Sequence, residues 1–267
     1  MLKKIIKYLL NKISHFFHLS FFIKRNTKNS NYEIIDKNYW IPFFYFEKYF
    51  SLYKVGLQKS KQEYSDNFSK NLRFFSLTQL VKYVLSKQNL QNYNFAECGC
   101  WYGHSTYIIS KILKEFNFKN KFYIFDSFEG GLSDLTNEDQ NLLKKMSKKE
   151  VEEQKNYCQS SEDHVRNILK DFEFIKIFNG WIPEKFHHIN EQRFQFVHLD
   201  VDLYEPTKES LNFFYPKLAE GGIIVCDDYN FSTFPGAKKA WDEYFQDKKN
   251  NYKFFYETPY GGCFVIK

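Results

Sequence analysis

Short apolar runs alternate with longer amphipathic stretches from about residue 76 onwards. The runs at residues 121–125, 194–199 and 222–226 have the length and composition of buried strands. The stretches at residues 76–86 and 106–116 repeat their apolar side chains at helical spacing. Strands that alternate with helices in this way predict an α/β fold with a mostly parallel sheet flanked by helices.

Acidic side chains follow two of these predicted strands. Asp200 and Asp202 come after the second of the three apolar runs, and Asp227 and Asp228 come after the third. In a parallel sheet the carboxyl ends of neighbouring strands meet at one edge, so these carboxylates should lie close together. Their mutual repulsion favours a bound cation, and hard oxygen ligands suit Mg²⁺ or Mn²⁺. The alternative is that they are ordinary turn and capping residues.

A glycine-containing loop precedes the helical stretch at 106–116. Glu97 and Gly99 end an apolar run, and Gly103 stands just before the helix. The pattern lacks the third glycine of a dinucleotide fingerprint and the lysine of a phosphate loop, so it favours neither NAD nor ATP. Asp126 ends the next predicted strand, where such folds place a carboxylate on a ribose. The combination indicates an adenosine-type cofactor.

These motifs together resemble the macrocin O-methyltransferase (TylF/MycF/NovP) family of sugar-modifying enzymes that depend on S-adenosylmethionine (SAM). The resemblance covers about residues 70–265 and is most specific at 200–207, at 227–229 and at 236–240. It rests further on 96–99 with Gly103, 125–130 and 179–181. It implies the Rossmann-like fold of class I SAM-dependent methyltransferases, with a mostly parallel seven-stranded sheet flanked by helices.

The resemblance also implies roles at the acidic strand ends. Asp200, Asp227 and Asp228 would bind Mg²⁺, in agreement with the spacing, and Asp202 would accept the proton of the sugar hydroxyl. In the related catechol enzymes a lysine three residues after the first metal aspartate has that role, but here the position is Leu203. The alternative is a structural role for Asp202, as a carboxylate that supports the metal ligands or caps the helix starting near Pro206.

The same resemblance implies a set of cofactor contacts. Glu97 and Gly99 would face the methionine part of SAM and Asp126 the ribose, whereas Ser127 and Phe128 would border the adenosine. The complete predicted set is Glu97, Gly99, Gly103, Ser105, Asp126, Ser127, Phe128 and Ser161. The last of these would reach the adenine edge, and it equally fits the N-cap of the helix that follows it.

The length of 267 residues suits one catalytic α/β domain. We divide the chain into a basic amphipathic segment at 1–30, a helical lead-in at 31–75 and a methyltransferase domain at 76–267. Within that domain the polar stretch at about 131–160 is predicted to form a mobile lid, although a solvated surface helix explains part of it as well. The five cysteines show neither zinc spacing nor a disulfide framework, which is typical of reduced cytoplasmic thiols.

The N-terminal segment is basic and apolar at once. Its seven lysine and arginine residues precede the first acid, Glu33, and apolar side chains recur at helical spacing between Ile5 and Phe17. We expect residues 1–25 either to contact the inner face of the cytoplasmic membrane or to pack as a helix on the domain or on a second copy in a homo-oligomer. The segment lacks a transmembrane span and a signal cleavage site. The formal net charge of +6 is concentrated at this end and requires no nucleic acid partner.

The sequence therefore predicts a cytoplasmic enzyme that uses Mg²⁺ to transfer a methyl group from SAM to a hydroxyl of a sugar or glycoconjugate. The predicted setting is the biosynthesis of a surface polysaccharide or glycan. Two alternatives remain open: an enzyme for a non-sugar hydroxyl, such as a catechol or a lipid head group, and a non-catalytic scaffold of a glycan assembly complex. The intact Asp and Gly motifs argue against the scaffold.

Overall fold

A predominantly parallel sheet forms where the apolar runs predict one. The computed structural model describes residues 43–140, 146–230, 233–246, 251–258 and 261–267. The basic amphipathic segment at 1–30, with the predicted membrane contact at 1–25, lies outside these ranges, and both stay predictions. The chain divides into two units, Met1–Leu52 and Tyr53–Lys267. Of the first unit only residues 43–52 are described, and they belong to the first helix.

Seven strands make up the sheet in the described residues, in the order β3-β2-β1-β4-β5-β7-β6. Strands β1 to β5 are parallel, whereas β7 runs antiparallel to both β5 and β6. The strands are β1 (Asn94–Cys98), β2 (Phe122–Asp126), β3 (Ile175–Asn179), β4 (Phe194–Leu199), β5 (Leu218–Cys226), β6 (Phe254–Glu257) and β7 (Cys263–Ile266). This is the predicted fold class, a seven-stranded and mostly parallel sheet.

Helices precede the sheet and connect its strands. Among the described residues they are α1 (Phe43–Lys59), α2 (Phe68–Leu85), α3 (His104–Glu115), α4 (Lys148–Tyr157), α5 (Glu162–Leu169), α6 (Tyr204–Lys217) and α7 (Gly236–Gln246). Short 3-10 turns occur at Glu63–Ser65, Gln88–Leu90, Phe128–Gly130, Asn137–Asp139 and Glu184–Ile189. None of the helices in the described ranges has both the length and the apolarity that a membrane crossing requires.

The boundaries of the elements follow local chemistry where the sequence signal is weak. Strand β4 coincides with the predicted run at 194–199. Helix α2 begins at Phe68 rather than at residue 76, because the side chain of Asn67 accepts a hydrogen bond from the Lys70 N–H at 2.9 Å and caps the helix. The predicted lid contains α4 and one 3-10 turn, and its mobility stays a prediction.

The direction of the chain changes between β1 and β4, the two central strands. From β1 the chain crosses to β2 on one side, and from β4 it crosses to β5 on the other. Because parallel crossovers are right-handed, this order puts α3 and α6 on opposite faces and opens a crevice at the carboxyl ends of β1 and β4. Phenylalanine rings fill the layer under α6: the Phe214 centroid lies 5.0 Å from those of Phe194 and Phe186.

Candidate active site

A cavity of about 580 Å³ opens at the carboxyl edge of the parallel strands. Residues that follow β1, β2, β3, β4 and β5 all contribute to its wall. The volume lies in the range of small-molecule sites, and the position is the one at which open α/β sheets bind ligands. The crevice between β1 and β4 is therefore the candidate active site.

Four aspartates line one side of this cavity, and we call them the acidic edge: Asp200, Asp202, Asp227 and Asp228. They meet because β4 and β5 end in register, with Leu199 opposite Cys226. The Asp227 N–H donates to the Leu199 carbonyl at 2.9 Å, and the Asp202 N–H donates to Asp228 Oδ2 at 2.9 Å. The structure thus brings together all four acids that the sequence singled out at the strand ends.

The acidic edge carries more negative charge than its protein surroundings offset. Burial and the neighbouring Asp200 carboxylate raise the pKa of Asp202 to about 7. Burial, Asp202 and Asp200 raise the pKa of Asp228 well above its ordinary value, and burial also raises the pKa of Asp200. A divalent cation would supply the missing positive charge, and carboxylate oxygens are the ligands that Mg²⁺ prefers. The residues present therefore fit such an ion.

Asp227 differs from the other three acids because two cationic side chains contact it. His198 Nε2 lies 3.2 Å and Arg73 Nε 3.3 Å from Asp227 Oδ2, while His198 Nδ1 lies 2.9 Å from Glu97 Oε1. Burial alone would lower the pKa of His198, but Asp227 and Glu97 raise it well above its ordinary value. For Asp227, burial acts to raise the pKa, but Arg73 and His198 bring it below its ordinary value. A chain of alternating charges thus fixes this carboxylate.

His198 also belongs to a group of three side chains that could hold a metal ion in the described residues. One ligand atom each from His198, Asp200 and Asp227 lie within 4.8 Å of one another. An imidazolium held between two carboxylates has no lone pair for a cation, because both ring nitrogens carry protons. Among the described residues Asp228 does not belong to this group, so Asp200, Asp227 and Asp228 as a ligand set stay the prediction from the sequence. The sequence analysis missed His198, although a histidine within an apolar strand was a usable signal.

The start of α6 tests one of the roles considered for Asp202, that of a helix cap. Leu203 occupies the N-cap position and provides no side-chain hydrogen bond. The carboxylate that binds the first turn is Asp139, whose Oδ1 accepts the Tyr204 N–H at 2.7 Å. Asp202 itself has a left-handed backbone, with φ of 61°, and lines the cavity. The alternative that Asp202 caps this helix is therefore wrong.

The glycine loop after β1 lies against the acidic edge. Gly99 has a φ of 80°, and a Cβ at this position would overlap the carbonyl oxygen of Asp200. Asp126 fixes the next residues of the loop, because its Oδ2 accepts the N–H groups of Cys100 and Trp101 at 2.6 and 2.8 Å. Its Oδ1 accepts the Phe128 N–H at 2.7 Å, and a carboxylate oxygen has two lone pairs for donors.

The predicted cofactor residues fall into two groups in the structure. Those that line the cavity are Gly99, Ser105, Asp126 and Ser127. Those that do not are Glu97, Gly103, Phe128 and Ser161. The expectation that both glycines of the loop face a ligand is therefore corrected, since Gly103 packs against Val165 and Ile168 of α5.

Local contacts also explain why the other three predicted cofactor residues do not line the cavity. Glu97 is fully buried, where it accepts a hydrogen bond from the Thr106 hydroxyl and pairs with His198, so its carboxylate does not line the cavity. Phe128 is fully buried as well. Ser161 caps α5 by accepting the His164 N–H at 3.3 Å, which agrees with the alternative role considered for it.

Several cavity residues escaped the sequence analysis because they come from segments without a motif. Lys70 and Arg73 lie on α2, and Gln62 and Ser65 lie in the turn before that helix. These four residues become recognisable as cavity residues only in the folded structure, where α2 and the turn before it lie beside the glycine loop. The predicted lid adds five further residues to the cavity wall: Gly131, Leu132, Ser133, Tyr157 and Cys158.

The fold and its edge site define the class, and comparisons with known proteins agree. The solved O-methyltransferase NovP superposes with a TM-score of 0.60 at 24% identity, covering 73% of this chain and 79% of that one. At that identity the likeness shows the fold, which is that of the class I methyltransferases. The profile of the macrocin-O-methyltransferase (TylF) family matches residues 66–254, so the chain belongs to this family. The family predicted from the motifs is confirmed.

Two curated relatives are similar to the chain over part of its length. One is demethyldecarbamoylnovobiocin O-methyltransferase of Streptomyces niveus, with 26% identity over 156 residues, which is 57% of this chain and 57% of that protein. The other is mycinamicin III 3''-O-methyltransferase of Micromonospora griseorubida, with 26% identity over 153 residues, which is 55% of this chain and 58% of that protein. The chain thus spans a little over half the length of these relatives.

The close approach of the glycine loop to the acidic edge leads to a stability prediction. Gly99 and Gly221 share a φ of 80°, but a Cβ at Gly221 would meet no atom within 4 Å. Gly221→Ala should cost about 1–2 kcal/mol for the left-handed backbone alone. Gly99→Ala should cost about 1–3 kcal/mol more, because β1 and β4 must separate at their ends. Urea unfolding of both variants measures the difference, and equal losses would show that the approach is not constraining.

Proposed function

We propose that this protein transfers a methyl group from SAM to a hydroxyl of a sugar, with a divalent cation bound at the acidic edge. The observation that carries the proposal is one cavity with a glycine loop and Asp126 on one side and four aspartates on the other. Membership of the macrocin-O-methyltransferase family and the names of the two curated relatives support it. A surface glycan as the acceptor stays a prediction from the sequence.

The cofactor is proposed to occupy the side of the cavity formed by the loops after β1 and β2. Gly99 leaves room next to the strand end, and Ser105 and Ser127 offer hydroxyl groups in the wall. Asp126 lines the cavity, and a second lone pair of its Oδ1 would suit a ribose hydroxyl. Because the loop N–H groups already hold this carboxylate, it would meet the cofactor without further rearrangement.

The cation is proposed to be Mg²⁺, or Mn²⁺, bound by Asp200, Asp227 and Asp228. When bound, it would make a coordinated hydroxyl far more acidic. Arg73 and His198 keep Asp227 ionised and oriented, since both contact Oδ2. The Asp202 N–H, which donates to Asp228 Oδ2, orients that ligand in turn. The protein thus holds its carboxylates in place before any ligand binds.

Asp202 is the proposed general base. Its carboxyl group lines the cavity beside the three candidate ligands and does not cap α6. In the proposed reaction the acceptor oxygen attacks the methyl carbon, the carbon–sulfur bond breaks, and the hydroxyl proton passes to the Asp202 carboxylate. Positioning and electrostatics supply the remaining catalysis, because methyl transfer is a single displacement.

The proposed function predicts methyl transfer that depends on a divalent cation. Purified protein with labelled SAM should methylate one member of a panel of nucleotide sugars, small glycosides and lipid-linked glycans. Excess EDTA should abolish turnover, and Mg²⁺ or Mn²⁺ in excess of the chelator should restore it, because three of the proposed ligands are carboxylates. Full turnover in EDTA, with no metal found by elemental analysis, would contradict the metal part of the proposal.

The role of Asp202 predicts a separation of chemistry from binding. Asp202→Asn keeps the shape of the side chain and removes its charge, so kcat should fall by about 10²–10⁴-fold while affinity for S-adenosylhomocysteine remains. Asp134→Asn is the matched control, because Asp134 is exposed in the lid segment and does not line the cavity. An Asp202→Asn enzyme with the kcat of the control would exclude Asp202 as the base.

A further inference from the structure

Lys70 is a nearly buried ammonium group in the wall of the cavity. Its side chain makes two hydrogen bonds in the described part of the chain, to Gln62 Oε1 at 3.0 Å and to Ser65 Oγ at 2.7 Å. Both acceptors are neutral, and Lys70 forms no ion pair with another of the described residues. Burial lowers the pKa of Lys70 to about 8, so the group is still mostly charged at neutral pH. A buried charge of this kind calls for an anion.

Gln62 completes a corner of the cavity with unused donors. The residue is 1% exposed and lines the cavity, and its Nε2 has no hydrogen-bond partner among the described residues. Because Oε1 is held by Lys70, the amide is fixed with its NH₂ group unsatisfied. An unsatisfied buried donor destabilises a folded protein, and an acceptor on a ligand would relieve this cost. Lys70 and Gln62 together therefore form an anion-binding corner.

The anion-binding corner lies beside the glycine loop, which indicates the anion that it binds. Lys70 Nζ lies 6.0 Å from the centroid of the Trp101 ring, and Trp101 belongs to the glycine loop that Asp126 fixes. The corner therefore lies against the loop proposed to hold the cofactor. In addition, Glu97 is buried, pairs with His198 and does not line the cavity, so the methionine part of SAM needs a partner elsewhere in the wall. The α-carboxylate is the one anionic group of SAM.

We propose that Lys70 and Gln62 bind the α-carboxylate of SAM and so define where its amino-acid end lies. The inference rests on the proposed function, since it assigns one contact of the proposed cofactor. A charge-assisted hydrogen bond from Lys70 and a second bond from the Gln62 amide would recognise the carboxylate. The sulfonium and the adenosine make no use of this corner.

The test compares ligands that keep or lack the carboxylate by isothermal titration calorimetry. The wild-type protein should bind S-adenosylhomocysteine about 10- to 100-fold more tightly than its decarboxylated analogue, as expected for a charge-assisted contact. Lys70→Met should lose this preference and bind both ligands with the affinity that the wild type shows for the analogue. Affinity for 5′-methylthioadenosine, which lacks the amino-acid end, should not change.

Lys82→Met is the matched control, because Lys82 lies on the same helix and outside the cavity. A wild-type protein that binds both ligands equally would overturn the inference even if Lys70→Met did not fold. The nucleotide dTDP serves as a probe for a phosphate-bearing acceptor. If Lys70→Met keeps its affinity for S-adenosylhomocysteine but loses affinity for dTDP, the inference is overturned, and the corner binds a phosphate of the acceptor instead. A wild-type protein that binds no S-adenosylhomocysteine at all would contradict the proposed function itself, which distinguishes the two failures.

Discussion

The repulsion between the carboxylates gathered at the ends of β4 and β5 is the constraint on which the site depends. Asp227 has Arg73 and His198 as ion-pair partners, whereas Asp200, Asp202 and Asp228 have no ion pair in the described ranges. Folding must therefore bring three acids together at a cost in free energy that the rest of the sheet offsets. Because a cation would relieve this repulsion, it should bind here more tightly than to a cluster of solvent-exposed carboxylates.

The geometry of the sheet makes this concentration of charge unavoidable. Cys98, Leu199 and Cys226 are aligned in register across β1, β4 and β5, so the residues that follow them emerge at one level. Gly99 permits the approach of the first loop to Asp200, because no side chain intervenes. The same approach brings the proposed methyl donor next to the proposed metal. Fold and chemistry thus depend on the same few backbone positions.

The sequence predicted well what depends on chain order alone. The strand at 194–199, the fold class and the meeting of the four aspartates follow from apolar runs and from the rule for parallel strand ends. Residues whose role depends on packing were predicted poorly. Glu97 has the position of a cofactor residue in its motif, yet His198 and Thr106 enclose it. Lys70 and Arg73 carry no motif, and they reach the cavity only because α2 folds back over the glycine loop.

The most direct test of the account measures the stability of the folded protein as Mg²⁺ is added. If the acidic edge is a cation site, the free energy of unfolding in urea should rise with Mg²⁺, by about 2.7 kcal/mol at a concentration 100-fold above Kd. Asp228→Asn removes one charge but keeps an oxygen that can accept the Asp202 N–H. This variant should be at least as stable as the wild type in EDTA and should gain little from Mg²⁺. Wild-type stability that does not respond to Mg²⁺, or an equal gain in the variant, would contradict a cation at the acidic edge.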